Sequence, residues 1–302
     1  SEKTAEDIIR YTVTPRNVLG VIPQIVDPEY LYILVRTRVL YNQTLTTRRR
    51  SELAVAVSEN IAAYSARSLE KFDTSFRFSR LSRIIDDTDP AIQSSITQIE
   101  LQRRVFPVIN ASNAIVVKFG VPLFKNGDES AITQATSHRF DYLATDGTSY
   151  NNCWLQENNG IVRVMNTQFA TRYTFTATLR NGKEVDRVSY VVNAGEVLPE
   201  STVTRTIRDL YAKNPGTVVN QTPIEETIRR MVVVSENVGT LNTSTGVLTL
   251  SNFIPTAIEN NAADIWITVV PAQTTAKDAL ALQPDGIFLS SFNKNFIVLS
   301  KD

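Results

Sequence analysis

His138 is the only histidine in the chain, and His138-Arg139-Phe140-Asp141 has the residue types for metal binding or acid–base chemistry. One imidazole beside one carboxylate does not complete a metal site or a proton relay, so an ordinary hydrogen-bonded histidine is the expectation. A Ser/His/Asp triad would need this same residue, and no Gly-x-Ser-x-Gly elbow is present to carry its nucleophile. The single cysteine, Cys153, sits in Asn-Asn-Cys-Trp-Leu and reads as a buried thiol, since no cationic neighbour would activate it. Asp86-Asp87-Thr88-Asp89 resembles a fragment of a calcium loop. It lacks the glycine and the distal glutamate of that loop, and Pro90 follows at once, so a solvated helix end is expected. Glu225-Glu226 offers paired carboxylates, but adjacent helical residues point in different directions, whereas glycosidic chemistry needs two carboxyls flanking one bond. No phosphate-cradling glycine loop occurs. No catalytic, metal or cofactor site is expected, and the chain reads as a non-enzyme.

The densest charge is Arg48-Arg49-Arg50 with Arg36 and Arg38. A nucleic-acid surface would call for more basic residues and exposed aromatics among them. The five arginines are therefore the candidate residues of a protein–protein salt-bridge patch, against the alternative of a solvated face.

The elements that would position them run from Pro28 to Arg104. In Tyr30–Tyr41, Leu31, Ile33, Val35, Thr37, Val39 and Tyr41 alternate with Tyr32, Leu34, Arg36, Arg38 and Leu40, the period of a strand. Leu53, Val57, Ile61 and Tyr64 lie on one stripe of a helix over Arg49–Arg67. Phe78, Leu81 and Ile85 do the same for a helix over Ser75–Ile85, which Pro90 forbids from continuing. Ser94–Arg104 returns as a strand with Thr97, Ile99 and Leu101 on one face. Two helices laid across strands make a β-α-α-β module.

From Val105 onward the helical period gives way to strands and turns. The clearest hairpin is Thr171–Val192. A two-residue turn at Asn181-Gly182 would set Tyr173 opposite Tyr190, Phe175 opposite Val188, Ala177 opposite Asp186 and Leu179 opposite Glu184. Asn126-Gly127-Asp128, Asp146-Gly147 and Asn159-Gly160 are further turn signals. Ile115–Phe119, Ile161–Val164, Met231–Val234 and Ile265–Val270 read as strands, and Asn237–Phe253 as a hairpin around Ser244-Thr245-Gly246. Ser201–Lys213 reads as a helix with Val203, Ile207, Leu210 and Tyr211 on its apolar stripe. Thr222-Pro223-Ile224-Glu225 has capping-box form, so a helical turn or two is expected through Arg230. Thr274–Leu282 reads as a brief coil, Pro284-Asp285-Gly286 as a turn and Ile287–Leu299 as extended.

The 302 residues carry 31 basic and 31 acidic side chains, so no global field draws the protein to nucleic acid or an anionic membrane. One cysteine excludes an intrachain disulfide framework and suits a reducing compartment. No apolar run approaches the roughly 20 residues of a membrane helix. The opening Ser-Glu-Lys-Thr, lacking methionine, suggests a piece of a longer chain, with residues 1–27 as a connector.

Tyr11-Thr-Val-Thr-Pro-Arg-Asn-Val-Leu-Gly-Val-Ile-Pro, the following Asp-Pro-Glu-Tyr strand and Ser65–Ile85 resemble the baseplate J-like family of contractile phage tails. Within it, the chain resembles the C-terminal part of the larger ring-forming wedge members of T-even-type phages. Val238-Gly239-Thr240-Leu241 with Thr245-Gly246-Val247-Leu248-Thr249-Leu250 resembles a strand–turn–strand pattern of the same family. The resemblance implies a non-enzymatic virion component of the tail baseplate, assembled in the host cytoplasm. It implies partners that are a second copy of the chain (a homodimer, joined into a ring) and other baseplate wedge proteins. It further implies a ring that changes shape when the sheath contracts, with hinges expected at Asp27-Pro28 and over Arg104–Pro107.

The expected fold is α+β and β-dominated: a connector at 1–27, a β-α-α-β module at 28–104, and a β-rich region of sandwich or meander type at 105–302 with a candidate subdivision near 195–235. A β-rich tail adhesin binding a cell-surface glycan is the alternative, with Trp154 and Trp266 as stacking surfaces. A cell-envelope hydrolase using Glu225 and Glu226 is the third reading.

Overall fold

The computed structural model describes residues 30–71, 75–124 and 135–272, with the backbone of 281–282, 286–289 and 296–301. The expected connector at 1–27, the turns at Asn126-Gly127-Asp128 and Pro284-Asp285, and most of the coil over Thr274–Leu282 lie outside those residues.

In chain order the chain forms β1 (Tyr30–Tyr41), α1 (Arg50–Ser68), β2 (Phe76–Arg77), α2 (Phe78–Asp86) and β3 (Ile92–Val105). Then come β4 (Asn113–Lys118), β5 (Ala135–Ser137), β6 (Phe140–Leu143), β7 (Ser149–Asn158), β8 (Ile161–Thr178) and β9 (Glu184–Asn193). The helix α3 (Glu200–Lys213) precedes β10 (Val218–Val219), β11 (Ile224–Asn242), β12 (Val247–Phe253), β13 (Pro255–Ile258) and β14 (Ile265–Val269). The last strands are β15 (Ala281–Leu282), β16 (Gly286–Leu289) and β17 (Phe296–Lys301). Strand dominates and most pairings are antiparallel, which makes the fold a β-rich α+β one. The chain forms two compact units: Ser1–Arg104 with Phe119–Phe124 and Thr268–Asp302, and Val105–Lys118 with Lys125–Ile267.

In the first unit, β1 pairs antiparallel with β3 and parallel with β16 and β17. The alternation along β1 decides its faces: Leu31, Ile33, Val35, Thr37, Val39 and Tyr41 are all buried. Thr37 stays on that face because its hydroxyl bonds the Thr97 hydroxyl directly across the ladder, at 2.8 Å. On α1 the residues at helical spacing, Leu53, Val57, Ile61 and Tyr64, are the buried ones. Leu53, Val57 and Ile61 each contribute roughly 1.5–3 kcal/mol by leaving water. On α2 the buried pair is Leu81 and Ile85. The helix begins at Phe78, three residues later than the pattern predicts, because Phe76-Arg77 is drawn into a short antiparallel pair with β15.

The second unit is built on β8, which pairs with β7, β9, β10 and β11. Asn159-Gly160 turns β7 into β8 with both residues at positive φ (51° and 81°), the backbone of a two-residue hairpin turn. The β8–β9 register has Tyr173 opposite Tyr190, Phe175 opposite Val188 and Ala177 opposite Asp186, as the sequence predicts. The tip differs, since Thr178 rather than Leu179 pairs with Glu184 after a register shift. Leu179 N–H bonds the Lys183 carbonyl at 2.9 Å and Gly182 N–H bonds the Leu179 carbonyl at 2.8 Å. The loop is therefore Arg180-Asn181-Gly182, closed by glycine at φ 82°.

Across this hairpin lies α3, sealing Tyr173, Phe175, Ala177, Leu198, Leu210 and Val219 into one core, with Val203 and Ile207 packed on it. Tyr211, expected on the apolar stripe, is 42% exposed, and Thr206 takes the buried place. Its hydroxyl is satisfied there by the Thr202 carbonyl and the Tyr190 hydroxyl.

The helical turn expected over Thr222–Arg230 does not form. Those residues enter β11, paired with β8 from Ile224 opposite Thr174 to Thr240 opposite Ile161. A helix start signal worth about 1 kcal/mol yields to a long ladder of backbone hydrogen bonds. The hairpin over Asn237–Phe253 forms, with Asn242 opposite Val247 and Leu248 and Leu250 fully buried.

Candidate protein–protein interface

The five arginines stand on two elements of the first unit. Arg36 and Arg38 alternate with the buried positions of β1 and are exposed. Arg36 forks onto Glu100 of β3, Nε to Oε1 at 2.9 Å and Nη2 to Oε2 at 3.4 Å. Arg48, Arg49 and Arg50 lead into α1. Arg48 approaches Asp89 at 3.7 Å, a carboxylate only 8% exposed that also accepts from the Ala91 N–H (2.9 Å) and the Thr46 hydroxyl (3.3 Å). Arg49 occupies the N-cap, where its backbone N–H donates to Glu52 at 2.9 Å. Glu52 sits in the first turn, where a carboxylate favours the helix dipole, and so offsets the basic run. Arg36 and Arg48 are thus held by different carboxylates, and their positive charge is partly neutralised within the unit.

Two open grooves lie along the helices of this unit, one of them beside Arg48. One, of about 370 Å³, follows the outer face of α1 past Arg48, Glu52, Val55 and Glu59. The other, of about 870 Å³, is lined by Ser75, Arg77, Ser79, Arg80, Arg83 and Asp87 around α2. Arg80 lies over the Tyr64 ring at 5.4 Å and Arg83 pairs with Asp87 at 3.2 Å. Both grooves are open and lined largely by charged side chains, unlike the enclosed apolar pockets that take small molecules.

The residues weighed for chemistry are dispersed. His138 Nδ1 accepts the Trp266 N–H at 2.9 Å, while His138 N–H donates to the Trp266 carbonyl at 3.2 Å. Burial lowers its pKa, outweighing the pull of Glu259 and Asp264, so the ring is held neutral in a structural pairing. Cys153 is fully buried and its thiol is pushed up to about 11 by that burial. The Asn166 amide donates to its sulfur at 3.5 Å. The aspartate run is divided among local tasks. Asp86 accepts from Ser95, Asp87 closes α2 and pairs with Arg83, and Asp89 forms a buried turn rather than a solvated end. Among the described residues no group of three or more His, Cys, Asp or Glu side chains could hold a metal.

Glu225 and Glu226 are exposed neighbours on a strand, so they point to opposite faces of the sheet, and Glu226 pairs with Arg172 at 3.1 Å. Trp154 and Trp266 are each 8% exposed, with Arg139 over the Trp154 ring at 3.9 Å, so neither presents a flat stacking face. Exposed apolar residues instead lie on β8 and β11, at Phe169, Ile224 and Met231, of which Ile224 falls within the expected helical turn over Thr222–Arg230. The strand composition of Ile228–Val234 was the available signal.

Residues 29–104 match the family model of baseplate structural protein gp6, C-terminal domain III. The matched stretch opens one residue before β1 and closes one residue before the end of β3, so it coincides with the module carrying all five arginines. Over 100 residues the chain is 28% identical to the baseplate wedge protein gp6 of Enterobacteria phage T4. That alignment covers 33% of this chain and 15% of the T4 protein's length. Both findings are similarities to a structural protein of the phage baseplate wedge, and the family-model match lies within this module. Tyr11–Pro23 and Val238–Leu250, which bear the wider resemblance, lie outside the gp6 domain III match.

Proposed function

We propose that this chain is a structural, non-enzymatic subunit of a phage tail baseplate wedge, located in the virion. It self-associates to join wedges into a ring, contacts other wedge proteins, and accommodates the rearrangement that triggers sheath contraction. The wider baseplate J-like affiliation and assembly in the host cytoplasm belong to the same reading. The observation that carries it is the coincidence of the gp6 domain III match with one whole β-α-α-β module. A match that follows element boundaries points to a shared folded unit rather than a chance run of residues. The dispersal of His138, Cys153 and the paired carboxylates agrees with a part that binds and moves. In such a part the hydrophobic cores stay intact as blocks while contacts at their surfaces repack. Arg36, Arg38, Arg48, Arg49 and Arg50 remain the proposed contact residues of this module and Arg104–Pro107 the proposed hinge, while the hinge expected at Asp27-Pro28 lies outside the described residues.

Genetic removal tests the reading. In cells infected by a phage lacking this chain, tails without complete baseplates are expected by electron microscopy, with infectivity restored by supplying the chain in trans. Complete, contractile tails in its absence would refute the proposal.

A further inference from the structure

From Ile224 to Glu236, β11 pairs with β8 along one edge, while β12 takes up only Gly239–Asn242 on the other. Among the described residues no strand covers the outer edge of Ile224–Glu236. A long open edge is a template for another strand, and proteins usually blunt one with proline, charged side chains, bulges or brevity. This edge has no proline beyond Pro223, and its register shifts begin only after Val233. Ile224 and Met231 are 61% and 64% exposed.

The charges on this edge have both signs and a fixed order: Glu225-Glu226-Thr227-Ile228-Arg229-Arg230. In an antiparallel pair, residues directly opposite share a face, so a two-fold axis between identical strands must pass through a residue. An axis at Ile228 sets Glu226 opposite Arg230, Ile224 opposite Val232, and Ile228 opposite its own copy, all on one face. The register centred on Thr227 sets Ile224 against Arg230 and Glu226 against Ile228, which loses the apolar match. Parallel in-register stacking sets glutamate on glutamate and arginine on arginine, which repels. The pattern therefore disfavours an open-ended stack and favours a closed two-fold pair. The Arg172–Glu226 contact leaves this intact, because a carboxylate can accept from two guanidinium groups.

We infer that Ile224–Val232 is the self-association strand of this protein, adding antiparallel to a second copy with Glu226 facing Arg230 of the partner subunit. This rests on the self-association in the proposed function and names a surface for it. Sedimentation velocity over a wide concentration range tests it, with backbone amide exchange on the same samples. The unaltered chain should dimerise, with amides on the outer edge of Ile224–Val232 gaining protection as concentration rises. Arg230→Glu or Glu226→Arg should each weaken the dimer at least roughly tenfold, since each introduces two like-charge pairs. Mixing the two variants should restore a dimer containing one copy of each, because every charge is then opposed, and circular dichroism confirms that each is folded. A strict monomer, a dimer indifferent to both reversals, or a mixture that fails to recombine would overturn the inference. A dimer through another surface would leave the baseplate reading untouched, because that reading stands or falls on tails assembled without the chain.

Discussion

A group taken out of water resists ionisation, and Cys153 shows the consequence. The thiol is fully buried, and that burial pushes it up to about 11 from an ordinary value near 9, outweighing the Asn166 amide, whose donation to the sulfur favours the thiolate. The thiolate is the reactive form, so folded protein at pH 8 should be inert to a disulfide reagent and react fully once denaturant opens the second unit. The sign of the linkage follows from the raised value. The thiol's contribution to stability is complete below about pH 9 and is lost as pH rises through about 11. Thiol titration across a denaturant series checks both statements, and fast labelling of native protein at pH 8 would contradict them. Sequence alone reveals five arginines, but not that Glu100 and Asp89 are folded against two of them.

At the scale of elements, close approach decides more than intrinsic preference. A Cβ on Gly239 would run into the Thr249 carbonyl, where β11 and β12 pair with Gly239 opposite Leu250. Backbone cannot rotate away as a side chain would, so Gly239→Ala should cost about 2 kcal/mol or more. Gly182, at φ 82° in the β8–β9 loop, has open space around it, so Gly182→Ala should cost only the left-handed strain, about 1 kcal/mol. Denaturant unfolding of the two variants should rank them in that order, and a reversed ranking would contradict the packing at Gly239. Local pattern reads such elements well where one face is buried and one wet. Leu31–Tyr41 on β1, the stripe of α1 and the Tyr173–Tyr190 pairing are all legible for that reason. Reading fails where a distant partner intervenes. Thr222-Pro223-Ile224-Glu225 has helix-start chemistry, yet Thr171–Thr174 lies ready to pair with it, and nothing in the local sequence announces that strand. Leu179 fails for a smaller reason, since one extra loop residue shifts the tip of its hairpin.

At the scale of the molecule, the chain leaves its first unit after Arg104 and rejoins it at Thr268, having contributed only Phe119–Phe124 to it between. The rejoining segment gives β1 its parallel neighbours, β16 along Tyr30–Ile33 and β17 along Arg36–Tyr41. It also supplies the Thr268 hydroxyl that receives the fully buried Gln102 amide at 2.9 Å. Parallel pairing between segments so far apart in sequence carries a loop-closure cost. Ending the chain after Ile267 should therefore act unevenly. β1 would lose one whole edge of hydrogen bonds, and Gln102 would lose its bond to the Thr268 hydroxyl. The core around Phe175, Leu198 and Leu210 uses none of the removed residues. Amide exchange should show protection in β1 falling at least tenfold while β8 and β9 keep theirs, because local opening follows the contacts each unit makes for itself. Equal loss in both would mean that the two units unfold as one, and undiminished protection in β1 would mean that β3 alone sustains it.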